Sequence, residues 1–230
     1  MNHRKFVVAS TVALLAAAGL VAGLAFYSNV VVNASMPNMP EALSYLPANS
    51  QVVFGMNVQR FVKSPVFLKF QEKHGQDIAS NLQDFIAKTG VDPVNDLSYI
   101  VAAGRAGDGK KGSGVVIAIA KGKFQADSIT NFIKTKAVPV ELTYSGARVL
   151  MIPESNGSKL EKGVAFLMDS EIALGDLESL KAVIDARSNP EALGIEANPK
   201  LKQLITSLDS DQMFWFAGDP ASIVSQAPAL

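Results

Sequence analysis

Apolar positions follow three different patterns along this chain. The first is an unbroken run, Phe6–Phe26, 21 consecutive residues without a charge. At about 1.5 Å per residue a helix of that length spans roughly 31 Å, close to the ~30 Å hydrocarbon thickness of a bilayer. The second is a set of short β-branched and aromatic runs, which read as strands. They are Gln51–Met56, Leu97–Ala103, Val115–Ala120, Val140–Tyr144, Arg148–Ile152, Val164–Met168, Ile172–Leu174 and Met213–Ala217. The third is a recurrence every three to four residues, the signature of a helix with one apolar face.

Helix boundaries come from capping chemistry. Asn57 is placed to cap a helix over Val58–Lys63, and Ser64-Pro65 pairs a cap with a proline at the first helical position. That second helix is expected to stop near His74, at Gly75. Ile78, Leu82, Phe85 and Ile86 then mark a third, ending at Gly90. Ala126, Ile129, Phe132 and Ile133 line another. Leu177–Arg187 turns Leu180, Val183 and Ile184 inward, and a short helix lies near Leu201–Leu208. Ser145-Gly146 and Asp169-Ser170-Glu171 read as tight hairpin links, and Glu154–Lys162 as a polar loop. Strands joined by such short links are antiparallel. The expected fold class is α+β: a mixed, mainly antiparallel sheet with helices packed on one face, after an N-terminal transmembrane helix.

The domain plan is then 1–5 cytoplasmic, 6–26 transmembrane anchor, 27–45 spacer and 46–230 extracytoplasmic domain. Residues 208–230 are a candidate start of a second, truncated repeat. Arg4 and Lys5 precede the apolar run and no Lys or Arg follows it until Arg60. Positive charge stays on the cytoplasmic side, so the single-pass helix leaves the domain in the periplasm or outside the cell. A competing reading makes the run a signal peptide cleaved after Ala34, in Val32-Asn33-Ala34; signal cores of about 7–15 residues are shorter than this one. Gly19 and Gly23 form a GxxxG pair through which two such helices could approach as a homodimer.

Charge is balanced, 21 Lys+Arg against 21 Asp+Glu, with no long run of one sign. That argues against a nucleic-acid partner and against a basic membrane-surface patch. With no cysteine there is neither a disulfide framework nor a lipidation box.

A weak internal echo runs through the domain. Leu46, Phe54 and Asn57 align at constant offset with Leu208, Phe216 and Asp219, and Phe61-Val62 with Ile223-Val224. Ile172–Asp176 is a third relative. The shared unit is a strand, a small residue, Asn or Asp, and a helix. The side-chain oxygen at that corner suits a helix cap, and a cation is the competing use. The echo also raises the expectation that the natural product is longer. The LPA opening at Leu46-Pro47-Ala48, Ser64-Pro65, the GVDP turn at Gly90–Pro93 and Asp96-Leu97 together resemble a signal-anchored bacterial domain-of-unknown-function family. That family carries repeated strand-helix units and no assigned activity, so the resemblance implies no catalytic residues.

Motifs that suggest chemistry are weak. Gly107, Gly109 and Gly112 make a GxGxxG, and Gly104–Lys110 a GxxxxGK with Lys111 where a phosphate loop needs Ser or Thr. Both motifs work by opening a helix, yet a strand follows at Val115, so a basic hairpin loop is expected. His3 precedes the anchor and His74 is expected at a helix end. There is no GxSxG, no HExxH, and no calcium loop around Asp209-Ser210-Asp211. Trp215 reads as core. The sequons at Asn33 and Asn156 carry no meaning in a bacterial chain. The expectation is a non-enzymatic domain acting through protein or envelope contacts, with no catalytic, cofactor or metal residues assigned. A periplasmic small-ligand-binding domain is the alternative, and a carboxylate-based hydrolase the third reading.

Overall fold

The computed structural model describes residues 40–105, 115–153, 160–208 and 212–218. The anchor Phe6–Phe26, the Gly19/Gly23 pair, the Ala34 junction, Gly107–Gly112, Asp209–Asp211 and the 219–230 end of the echo lie outside them. Among the described residues no helix is long and apolar enough to cross a membrane.

Eight strands form one sheet: β1 (Val52–Asn57), β2 (Leu97–Arg105), β3 (Val115–Gly122), β4 (Val140–Tyr144), β5 (Ala147–Pro153), β6 (Leu160–Met168), β7 (Glu171–Gly175) and β8 (Phe214–Gly218). Their spatial order is β4-β5-β6-β7-β3-β2-β1-β8. Every pairing among them is antiparallel. The helices are α1 (Val58–Phe61), α2 (Pro65–Thr89), α3 (Ala126–Lys134), α4 (Leu177–Ser188), α5 (Pro190–Leu193) and α6 (Pro199–Thr206), with 3-10 turns at Glu41–Leu43 and Ile195–Ala197. The α+β expectation holds.

Helices on one face do not. Alternate strand residues feed two separate cores. Val53, Val101, Ile119, Val149, Ala165, Ala173 and Trp215 pack with Leu180, Val183, Ile184, Leu201 and Ile205 of α4 and α6. Phe54, Ile100, Ala120, Leu150, Val164 and Ile172 pack with Val58 and Phe61 of α1 and with Ile133 of α3. Beyond that second layer α2 crosses α3, with Phe85 edge-on to Phe132 at 5.8 Å. The cause lies in the central strands. Runs such as Val115–Ala120 are apolar at consecutive positions, so both faces of the sheet must leave water.

Three local differences have equally plain causes. Helix α2 is continuous from Pro65 to Thr89, through Gly75, so His74 is mid-helix rather than at an end. An internal glycine costs a helix only about 1 kcal/mol; what ends it is Gly90, left-handed at φ 68°. The tract expected to be loop up to Lys162 is strand from Leu160, and Glu171 is the first residue of β7, not part of the turn. Ala42, Leu43 and Tyr45, expected in the spacer, are buried against the α4–α6 layer. The caps behave as expected at Asn57, Ser64 and Asp176, whose side chains accept the backbone N–H of Arg60, Phe67 and Ser179.

Candidate functional site

Three features stand apart from the packed interior. The first is a buried polar cluster beneath the segment that leads in from the N-terminus. Glu171 of β7 is paired with Lys121 of β3 and is 1% exposed. Its Oε1 lies 3.5 Å from Lys121 Nζ and 3.4 Å from the hydroxyl of Tyr99 on β2, both long for direct bonds. Oε2 is buried and has no hydrogen-bond partner among the described residues. Within that segment the Tyr45 hydroxyl donates to Glu41 at 2.6 Å. The Glu41–Leu46 segment is held over the sheet by Leu43 and Leu46, both fully buried in the same core.

This cluster is built for holding rather than for turnover. A carboxylate sealed under a packed segment cannot meet a substrate unless that segment leaves. Burial first, and then the Glu171 charge, hold the Tyr99 hydroxyl well above the usual phenol range. Burial and the Glu41 hydrogen bond do the same at Tyr45. A phenol that ionises later in the folded chain than in the unfolded one holds more protons when folded. Its contribution is intact below about pH 10 and is lost as pH rises beyond that. Stability should therefore fall between about pH 10 and 12, and Tyr99→Phe should flatten that fall. Urea midpoints followed by Trp215 fluorescence across that range test it; an unchanged slope in Tyr99→Phe would refute the assignment.

The second feature is a shallow cleft, open to solvent, between Pro47, Asn49 and Ser50, the Ala103–Arg105 end of β2, Ile117, and Glu178, Ser179 and Ala182 of α4. Arg105 and Glu178 meet across its mouth at 3.2 Å. The glycine-rich loop springs from the same end of the sheet. Only its roots are described: Gly104 and Arg105 on β2 pair antiparallel with Val116 and Val115 on β3. The segment between these roots joins two strands, and the glycine motifs themselves lie outside the described residues.

The third feature is the β8 end of the sheet. Phe214, Trp215, Phe216, Ala217 and Gly218 carry no charge and no proline, and Phe216 is 42% exposed. At the opposite end, β4 follows Pro139 and presents Glu141, which Arg148 holds at 2.7 Å. Charge and proline are the usual guards of an edge strand; β8 has neither within its five residues, and Asp219-Pro220 follow it directly in sequence. Sequence reasoning assigns no site residue. Trp215 is in the core, as expected, while the burial of Glu171 has no signal in its polar turn-like surroundings.

No family model matches the chain, and no curated protein matches it in sequence. Among solved structures it is similar to the "Structure of crystal form III of TP0453", with a TM-score of 0.47 and 10% identity, covering 77% of this chain and 63% of that one. It is similar also to the "Structure of crystal form IV of TP0453", with a TM-score of 0.45 and 10% identity, covering 76% and 62%. The chain thus spans about 63% of the length of the first of these.

Proposed function

We propose that this chain is a single-pass protein of the bacterial cytoplasmic membrane. Phe6–Phe26 tethers a domain, residues 46–230, in the periplasm or outside the cell, and that domain works through protein or envelope contacts without catalysis. The observation that carries this reading is the β8 margin, an aromatic strand that ends the sheet among the described residues, with both faces of that sheet already filled. Such an edge is a template for another chain. The length and flanking charges of the apolar run support the location.

Crosslinking in intact membranes tests it. The full chain should yield a discrete protein adduct, and failure to yield one under any growth condition would count decisively against contact as its role. A small-ligand role has one feature in its favour, the Arg105–Glu178 cleft. Ala182→Trp, which fills that cleft, should leave the adduct unchanged; its loss would move the function to the cleft.

A further inference from the structure

Residues 40–46 hold together as a unit of their own. The N–H groups of Leu43, Ser44, Tyr45 and Leu46 donate to the carbonyls of Pro40, Glu41, Ala42 and Leu43, at 2.9 to 3.3 Å. The Ser44 and Tyr45 hydroxyls turn back the same way, onto the Glu41 carbonyl and carboxylate at 2.6 Å each. What the segment gives to the rest of the domain is apolar surface. Ala42, Leu43 and Leu46 are fully buried and Tyr45 is 4% exposed, all in the core shared with α4 and α6. Burial of that kind is non-directional, so the segment can part from the core as a block with its own hydrogen bonds intact.

The residues that follow are held differently. Pro47 bridges to Gly194, and Ala48 N–H donates to the Leu193 carbonyl at 3.0 Å. The Asn198 amide donates to the carbonyls of Ala48 and Ser50 at 2.8 and 3.2 Å. Asn198 is itself fixed, because its Oδ1 caps α6 through the Leu201 N–H. Gln51 N–H then donates to the Gly104 carbonyl of β2 at 2.9 Å. The chain is stitched to the domain by directed bonds from Pro47 onward, and by packing before it. A change of attachment of this kind marks where a local opening stops.

Under the packed segment lies Glu171. Its carboxylate is 1% exposed, has contacts of 3.4 and 3.5 Å at one oxygen, and has no partner among the described residues at the other. It gives up its hydration for little return. Opening of the segment returns water to it. Lys121, whose side chain is 37% exposed, stays solvated whether or not Glu171 is charged.

From these observations we infer that residues 40–46 are a detachable plug, hinged at Pro47, that leaves and reseats while the sheet stays folded. The buried Glu171 carboxylate sets how readily the plug leaves, and its departure gives Glu171 to solvent. This is a property of the domain alone and stands or falls apart from the contact reading above.

The chain has no cysteine, so Ala42→Cys places a unique thiol in the plug with little change of volume. Ala173→Cys, fully buried in the same core on β7, is the comparison. In the full chain in detergent micelles, a monofunctional maleimide should label Ala42→Cys about a hundredfold or more faster than Ala173→Cys. Low urea should barely change the Ala42→Cys rate, because the opening exposes little surface. Glu171→Gln removes the charge and keeps the shape, and should slow labelling of Ala42→Cys about tenfold. Glu171→Met, apolar and equally long, should slow it in the same direction. Labelling of Ala42→Cys no faster than that of Ala173→Cys would make the segment part of the cooperative core and overturn the proposal. Unchanged or faster labelling in either Glu171 variant would show that the carboxylate holds the plug down, and would overturn it as well.

Discussion

Gly55→Val is expected to strip β8 from the sheet and lower the unfolding free energy by about 3 kcal/mol. Gly55 is in β1, between β2 and β8, directly opposite Trp215. A Cβ there would overlap Cε2 and Cζ2 of the indole and crowd its Nε1. The ring cannot easily yield, because Trp215 is 9% exposed and belongs to the core beneath α4 and α6. The backbone of Gly55 is unremarkable; what is needed is space. Urea unfolding followed by fluorescence measures the loss, and Trp215 is the only tryptophan in the chain. The fluorescence cannot follow a Trp215→Leu background, where circular dichroism serves instead. In that background Gly55→Val should cost less by at least ~1 kcal/mol, the coupling expected of residues in contact. Equal costs in both backgrounds would show that the clash is not what matters.

The second large effect is local. Gly194→Val should lift the leading segment, residues 40–47, off the α4–α6 layer while the sheet stays folded. A Cβ on Gly194 would overlap the Ser44 carbonyl and come within 2.8 Å of the Pro190 carbonyl. Both obstacles are backbone, so no side chain can swing aside. Pro47 bridges to Gly194, and Ala48 N–H donates to the Leu193 carbonyl at 3.0 Å, which fixes the approach. Lifting the segment exposes Leu43 and Leu46, each worth about 1.5–3 kcal/mol when buried. Amide exchange at Leu43–Leu46 should accelerate about a hundredfold or more, with protection in β5–β7 unchanged. Unaltered exchange in the segment, or collapse of the whole sheet, would contradict this.

What could be read from the residues was local chemistry, and what could not was distance along the chain. The Ser145-Gly146 hairpin is there, with φ of 46° and 81°, because those two residues accept a turn that others resist. Asn57 and Asp176 cap helices as their side chains and positions required. The one-face expectation missed the cover on both faces, whose cause is consecutive apolar positions such as Ile117, Ala118, Ile119 and Ala120, which leave no polar side to a strand. Gly75 misled because glycine punctuates only when the chain needs a left-handed residue, and the need arises at Gly90. The candidate sites were harder. The echo marked Phe54 and Phe216 as equivalents, but their direct pairing joins residues from opposite ends of the domain. Likewise Glu171 is buried by Tyr99 and by the segment at Glu41, both remote in sequence, so nothing beside it could signal its state.

Under the proposed anchoring, the early burial of the leading segment sets how far the domain can stand from the membrane. If the bilayer ends at Phe26, only residues 27–39 separate it from Pro40, where the packed domain begins. A fully stretched chain gains about 3.5 Å per residue, so the leash cannot exceed roughly 45 Å. Under the proposed anchoring, whatever the domain meets must come within that height of the membrane surface.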